Sequence, residues 1–175
     1  MPDAVPAEEK MPLFETIERL HHNYGLADPA TIKGLDGFEQ LLEIQEGNVP
    51  APPMARTMNF VLGQIERGRV DLRGEPGADH LNPMGIIHGG WMMTFLDSVL
   101  GFAVQTVLEA GETYVSLSTE VKFVRPLLAE GGQVRAIGEL VSRSTRTATA
   151  TAVAEDREGR IIGTGTSTCF IQSRR

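Results

Sequence analysis

"LNPMGIIHGGWMMTFLDSVLG", residues 81–101, sets a histidine and two glycines ahead of an apolar run that holds a single carboxylate, Asp97. The run continues to residue 108 with Asp97 still its only charge. Eighteen residues of this kind, 91–108, are long enough to raise a membrane span,. Thr94, Asp97, Ser98, Gln105 and Thr106 lie through them, however, and a helix in a protein core is the reading that tolerates those groups,. Trp91, Met92, Phe95, Leu96, Val99, Phe102 and Val104 put apolar side chains around nearly the whole helix. One face of one sheet is a poor cover for such a helix, so a second copy of the chain is expected to complete its burial.

Strand patterns surround this helix. Upstream, "RTMNFVLGQIERGRVDLRGE" alternates apolar and polar residues on both sides of residues 66–68 and predicts a hairpin,. A loop of about a dozen residues, "PGADHLNPMGII", connects it to the helix, and unstructured loops that long are often functional,. Downstream come "TYVSLSTEVKFVRP", "GQVRAIGELVSRS" and "TRTATATAVAEDREGRIIGTGTSTCFIQ", the last folded about its "DREG" turn into two strands,. Hairpin-length connections join antiparallel neighbours, and no second crossover helix is available. The expected class is therefore α+β, one antiparallel sheet wrapped around one long helix. Ala148, Ala150, Ala152, Gly163 and Gly165 supply the small side chains that let the helix approach the sheet.

The N-terminal part reads differently. Leu13, Ile17 and Leu20 recur at helical spacing in "LFETIERLHHNYG", "GFEQLLEIQEG" predicts a second short helix ending at Gly47, and "NVPAPPMA" reads as a linker because its prolines remove amide donors,. Residues 1–55 are thus expected to form an extension with short helices and a Pro-rich linker, and residues 56–175 the compact domain. A chain of 175 residues that is 41% hydrophobic suffices for one substantial core and is too short for two ordinary domains,.

Charge and cysteine content narrow the function. A formal net charge of -7 offers no global positive field for a nucleic acid or an anionic membrane,. Lys122, Arg125, Arg135, Arg143 and Arg146 fall within one stretch and remain able to hold a smaller anion. The lone Cys169 rules out an internal disulfide and suits a reducing compartment; with "MPDAVPAEEKMP" lacking the features of a signal peptide, a cytoplasmic location is expected,. Four scattered histidines, His21, His22, His80 and His88, form no ligand cluster, so no metal is expected,.

The chemistry concentrates at the helix. Its N-terminus presents unpaired amides and the positive end of the macrodipole, and glycine there admits a substrate close to the backbone. Gly89 and Gly90 are therefore candidates for an oxyanion hole or, more simply, a tight junction into the helix. Asp97 is costly to bury ionised, so it either acts in a cavity or bonds to neighbours such as Thr94 and Ser98. Gly90 and Asp97, seven residues apart, share nearly one helix face but lie ~10 Å apart along the axis,. A carbonyl within hydrogen-bond reach of Gly90 is then out of reach of Asp97 in the same chain. Two antiparallel helices packed across a dimer axis solve this, with Gly90 of one chain facing Asp97 of the other and two identical sites per dimer.

"NPMGIIHGGWMMTFLDSVLG" followed by "YVSLSTEVKFVRPL" closely resembles the hotdog-fold acyl-CoA thioesterases, in the branch of the phenylacetate-pathway and 4-hydroxybenzoyl-CoA enzymes, over roughly residues 56–172. The resemblance implies a sheet-wrapped helix, dimers pairing edge to edge and often forming tetramers, and thioester hydrolysis with no metal or resident cofactor, CoA being part of the substrate. By motif position it implies that Asn82, His88 and Gly90 serve one side of the site. Asp97 serves the other as nucleophile or general base, and Ser116 stands where a hydroxyl can orient the catalytic water. In this strand Val115, Leu117, Val121 and Phe123 mark the apolar stripe, so unbroken alternation points Ser116 to the opposite side,.

Arg125, Arg143 and Arg146 are candidates for the phosphates of CoA, since a guanidinium binds phosphate through a bidentate fork. Trp91, with Met58, Phe60, Met92 and Met93, is a candidate for the acyl pocket, although such positions are more often plain core. No Gly-x-Ser-x-Gly elbow accompanies His88, which argues against a serine-hydrolase triad,. Two other readings stay open: a hotdog dehydratase or hydratase, and a non-catalytic acyl-CoA sensor using the N-terminal helices as its effector segment.

Overall fold

The computed structural model describes residues 23–173. The expected N-terminal helix around Leu13, Ile17 and Leu20 lies outside them, as do His21 and His22. The elements are α1 (Gly37–Gln45), α2 (Pro53–Met58), β1 (Phe60–Glu66), β2 (Arg69–Gly74), α3 (Gly89–Gln105), β3 (Glu112–Phe123), β4 (Val134–Arg143), β5 (Thr147–Asp156) and β6 (Ile161–Ser173). The six strands form one antiparallel sheet in the order β1-β2-β4-β5-β6-β3. α3 lies across one face of the sheet and buries Trp91, Met92, Phe95, Leu96, Val99, Leu100, Ala103 and Val104 there.

Small residues set the closeness of that packing. Ala148, Ala150, Ala152 and Ala154 are all buried on the helix-facing side of β5. At Gly138 on β4 an added Cβ would come within 2.5 Å of the Val99 carbonyl oxygen, so the strand touches the helix backbone itself.

The N-terminal segment packs on the same core. Asp36 and Glu39 close α1 with a reciprocal capping box, and Leu41 is 0% exposed against the α3 core,. Part of the cover expected from a second copy thus comes from the chain itself, with α1 lying over the flank of α3 that carries Phe102. Where the sequence predicted a linker and the start of a strand, residues 53–58 form α2. Pro53 presets the first helical φ, and Asn59 ends the turn in the left-handed region at φ 51° before β1 begins,.

One flank of α3 stays open, beside the free edge of β3. Met93 is 47% exposed there, and Thr94, Asp97 and Ser98 are half-buried. Along the edge, Val115, Leu117, Phe123 and Val124 are each about half exposed or more, at 48%, 61%, 57% and 49%. A long unpaired strand with an apolar outer side is an invitation to pair with another chain. Among the described residues no helix is long and apolar enough to cross a membrane.

Candidate active site

The loop before α3 is tied down by its own polar side chains. Asn82 Oδ1 accepts from the Met84 and Ile86 amides at 2.9 and 3.3 Å, and Gly85 takes the positive φ of 77° that the turn requires,. His80 accepts from the Gly77 amide at Nδ1 (3.0 Å) and donates from Nε2 to the Thr57 carbonyl (2.9 Å), so it ties the loop down through both ring nitrogens,. Its own carbonyl receives the His88 amide at 2.8 Å. These bonds deliver His88 to the N-cap of α3, where Nδ1 accepts from the Gly90 amide at 2.8 Å,.

That cap distinguishes the amides of the two glycines. Sequence spacing points to the Gly90 amide as the donor to a substrate, yet His88 already occupies it. The Gly89 amide has no hydrogen-bond partner among the described residues. It sits at the first helical position, with the Phe123 ring close enough that a Cβ on Gly89 would meet it at 3.2 Å.

Asp97 lies two turns further on, at the open flank. Its Oδ1 accepts from Thr119 Oγ1 at 2.7 Å and from Ser116 Oγ at 3.3 Å, while Oδ2 takes no hydrogen bond from the described residues. Thr119 is itself within 3.2 Å of the Ser167 hydroxyl, which donates to the Ser118 carbonyl at 3.1 Å. The carboxylate is therefore fixed through one oxygen and free at the other.

Ser116 reaches Asp97 because β3 is not regular. Its register against β6 shifts between Ser116 and Ser118, so Leu117 is the extra residue of a bulge and the alternation changes phase there,. Tyr114 and Ser116 face the helix before the bulge, and Thr119 and Val121 after it. Unbroken alternation would place Val115 and Leu117 inward and Ser116 outward; both apolar residues instead lie at the exposed edge. Sequence reasoning misses Thr119 for the same reason, since it is an inconspicuous threonine in a supposed apolar stripe. The signal available is Tyr114, an aromatic in the set of positions that otherwise read as polar. It packs against Gly101, where any side chain would collide with its hydroxyl. Burial, with smaller contributions from Cys169 and Asp97, pushes the Tyr114 phenol far above its ordinary value. Burial likewise raises the Cys169 thiol, which leaves it protonated and unsuited to nucleophilic attack,.

The remaining candidates are dispersed. Trp91 is 3% exposed, donates to the Met58 carbonyl at 2.8 Å and stacks on Phe95, so it is core and presents no face to the open flank. Arg125 bonds the Ile161 carbonyl beyond the end of β3. Arg143 pairs with Glu112 at 2.5 Å, and Arg146 lies over the Phe170 ring, at the other end of the sheet. Arg135 is bound to the buried Asp71 at 2.7 Å. The five cations close in sequence thus make no single patch. Among the described residues, no three His, Cys, Asp or Glu side chains gather as metal ligands.

Comparison with known proteins places this geometry. A family model described as the thioesterase superfamily matches residues 84–162. A phenylacetic acid degradation protein PaaI from Thermus thermophilus, solved as a point mutant, is 32% identical, with a TM-score of 0.61 over 67% of this chain and 97% of its own. A phenylacetic acid degradation-related protein from Ralstonia eutropha JMP134 is 26% identical, with a TM-score of 0.69 over 74% of this chain and 98% of its own. The protein smu.793 from Streptococcus mutans UA159, solved bound to acetyl CoA, shares the fold at 23% identity, with a TM-score of 0.60 over 67% and 91% of the two chains. No curated protein matches the sequence.

Proposed function

Because the chain belongs to the hotdog-fold thioesterase superfamily, we propose that it hydrolyses an acyl-CoA to a free acid and CoA at a site completed by a second copy of itself. The observation that carries this reading is the Asp97 carboxylate, held through Oδ1 by two hydroxyls and left free at Oδ2 on the uncovered flank of α3. A carboxylate so placed can attack a thioester carbon or take a proton from water that does; either route uses the free oxygen.

The second half of the site is the start of α3. In the proposed reaction, the thioester carbonyl of a substrate lies against the Gly89 amide of one chain while Asp97 of the other acts on its carbon. As the carbon becomes tetrahedral, the oxygen gains negative charge, and an unpaired amide at the positive end of a helix stabilises it. Collapse expels CoA as thiolate: on the base route the thiolate recovers the proton that Asp97 took from the attacking water, and on the nucleophilic route it leaves an acyl anhydride on Asp97, which water then cleaves to the free acid while supplying the proton. His88 serves by fixing the helix start, and Asn82 by shaping the loop that presents it. CoA as the substrate's carrier is consistent with acetyl CoA in a protein of the same fold. Pairing two β3 edges would cover the exposed Val115 and Leu117 and bring the two open flanks together,.

Asp97→Asn tests the assignment. The variant is expected to fold and bind acyl-CoA while kcat falls by about 10³-fold, within the range of an essential base or nucleophile. Hydrolysis at the wild-type rate over an acyl-CoA panel would remove Asp97, and the reading with it.

A further inference from the structure

A small pocket opens on the other side of α3, lined by Ile44, Ala51, Pro52, Phe60, Leu62 and Phe102. Phe102 follows Asp97 by five residues, about 140° round the helix at ~100° per residue, so the pocket is no part of the site proposed above. It lies where α1, α2 and β1 meet α3, its volume is about 30 Å³, and its walls are apolar apart from Gln45. That is room for the end of one aliphatic side chain.

Its rim is also where the described chain begins. The Asn23 carbonyl accepts from the Ala51 amide at 2.9 Å, the Gly25 amide donates to the Ala51 carbonyl at 3.0 Å, and Tyr24 and Ala51 form a parallel bridge. The described chain therefore begins, at Asn23, beside a wall of the pocket. Leu20 precedes Asn23 by three residues, a reach of at most ~10 Å. Leu13 and Ile17 recur four and three residues apart with it, on one side of a helical repeat whose other positions include Glu15, Glu18 and Arg19,.

We infer that this pocket is the docking site of the chain's own N-terminal segment, with Leu20 filling it and Ile17 against its rim. The tether favours this occupant: a side chain held within ~10 Å is presented at a high effective concentration that no free ligand matches.

The test uses the full-length chain with paired cysteines, Leu20→Cys with Leu62→Cys, against a control of Glu18→Cys with Leu62→Cys. Cys169 is 0% exposed and stays out of the exchange. Under mild oxidation the Leu20 pair is expected to form an intrachain disulfide at least about tenfold faster than the Glu18 pair, because the bond demands close Cβ approach. In parallel, Leu20→Ser should speed hydrogen exchange at the Ala51 amide about tenfold, whereas Glu18→Ser leaves it unchanged. Equal rates for the two pairs, or unchanged exchange in Leu20→Ser, would overturn the inference. A disulfide that forms only between chains would overturn it too, giving the pocket to a second copy.

Discussion

Asp97 poses the residue-scale problem of an acid on an otherwise apolar helix, and Thr119 and Ser116 are its structural solution. Two hydroxyl donors on one carboxylate oxygen satisfy and orient it without adding charge or bulk,. The bond from Thr119, 2.7 Å against 3.3 Å from Ser116, is the shorter, which makes Thr119 the stronger positioning residue. Thr119→Val keeps the shape and removes the donor. A hydrogen bond to a charged group contributes about 1.5 to 3 kcal/mol, so kcat should fall about 10- to 100-fold with KM little changed. Ser116→Ala, whose bond is 3.3 Å long, should lower kcat less. The reverse order in steady-state kinetics on one acyl-CoA would mean that Ser116 acts on the water or substrate rather than through Asp97.

Among the elements, α3 and β3 fix where the site can be. α3 sits low in the sheet because β4 offers no side chain at Gly138, directly under the Val99 carbonyl. Gly138→Ala must push helix and strand apart, and overpacking of this kind costs about 1 to 3 kcal/mol. Chemical denaturation is expected to show that loss with the m-value unchanged; wild-type stability would mean that the contact relaxes freely. The helix, the hairpin and the four later strands were legible in the sequence because each carries a long periodic signal. The bulge in β3 was not, since a single extra residue leaves the polar and apolar letters in an order that still looks like plain alternation. Nor could sequence proximity group the arginines: strands of a sheet send neighbours in the chain to opposite ends and faces. His88 was legible as a junction residue, but its bond to the Gly90 amide, and hence the freedom of Gly89, emerges only from the cap geometry.

For the whole molecule, the N-terminal segment from Asp36 onward is part of the stable unit. Asp36 caps α1 and pairs with Arg67 of the β1–β2 turn at 2.7 Å, joining the segment to the sheet. Burial raises its carboxyl, but the Glu39 amide and the Arg67 guanidinium outweigh that and hold it below the ordinary carboxylate value. A group depressed in the folded state adds stability above its unfolded value, near ~3.9, and loses it as pH falls through the folded one. Asp36→Asn keeps a capping side chain and loses the charge, so it should be less stable than the wild type near neutrality by under about 1 kcal/mol, the pair being exposed. Denaturation at a series of pH values below ~4 should find that gap narrowing as the pH falls, whereas a gap independent of pH would assign the effect to the cap alone.

The reaction proposed above rests on an assembly, suggested by the open flank of α3 and the free β3 edge, in which each site takes Gly89 from one chain and Asp97 from its partner. Gly89→Pro deletes the unpaired amide at a first helical position that accepts proline, and the extended His88 before it, at ψ 136°, is compatible with the change,. Alone, Gly89→Pro and Asp97→Asn should each be nearly inactive. Unfolded together in equal amounts and refolded, they should regain about a quarter of wild-type hydrolysis, since half the dimers are mixed and each of those carries one intact site in two. A mixture no more active than its components would contradict a site shared between chains.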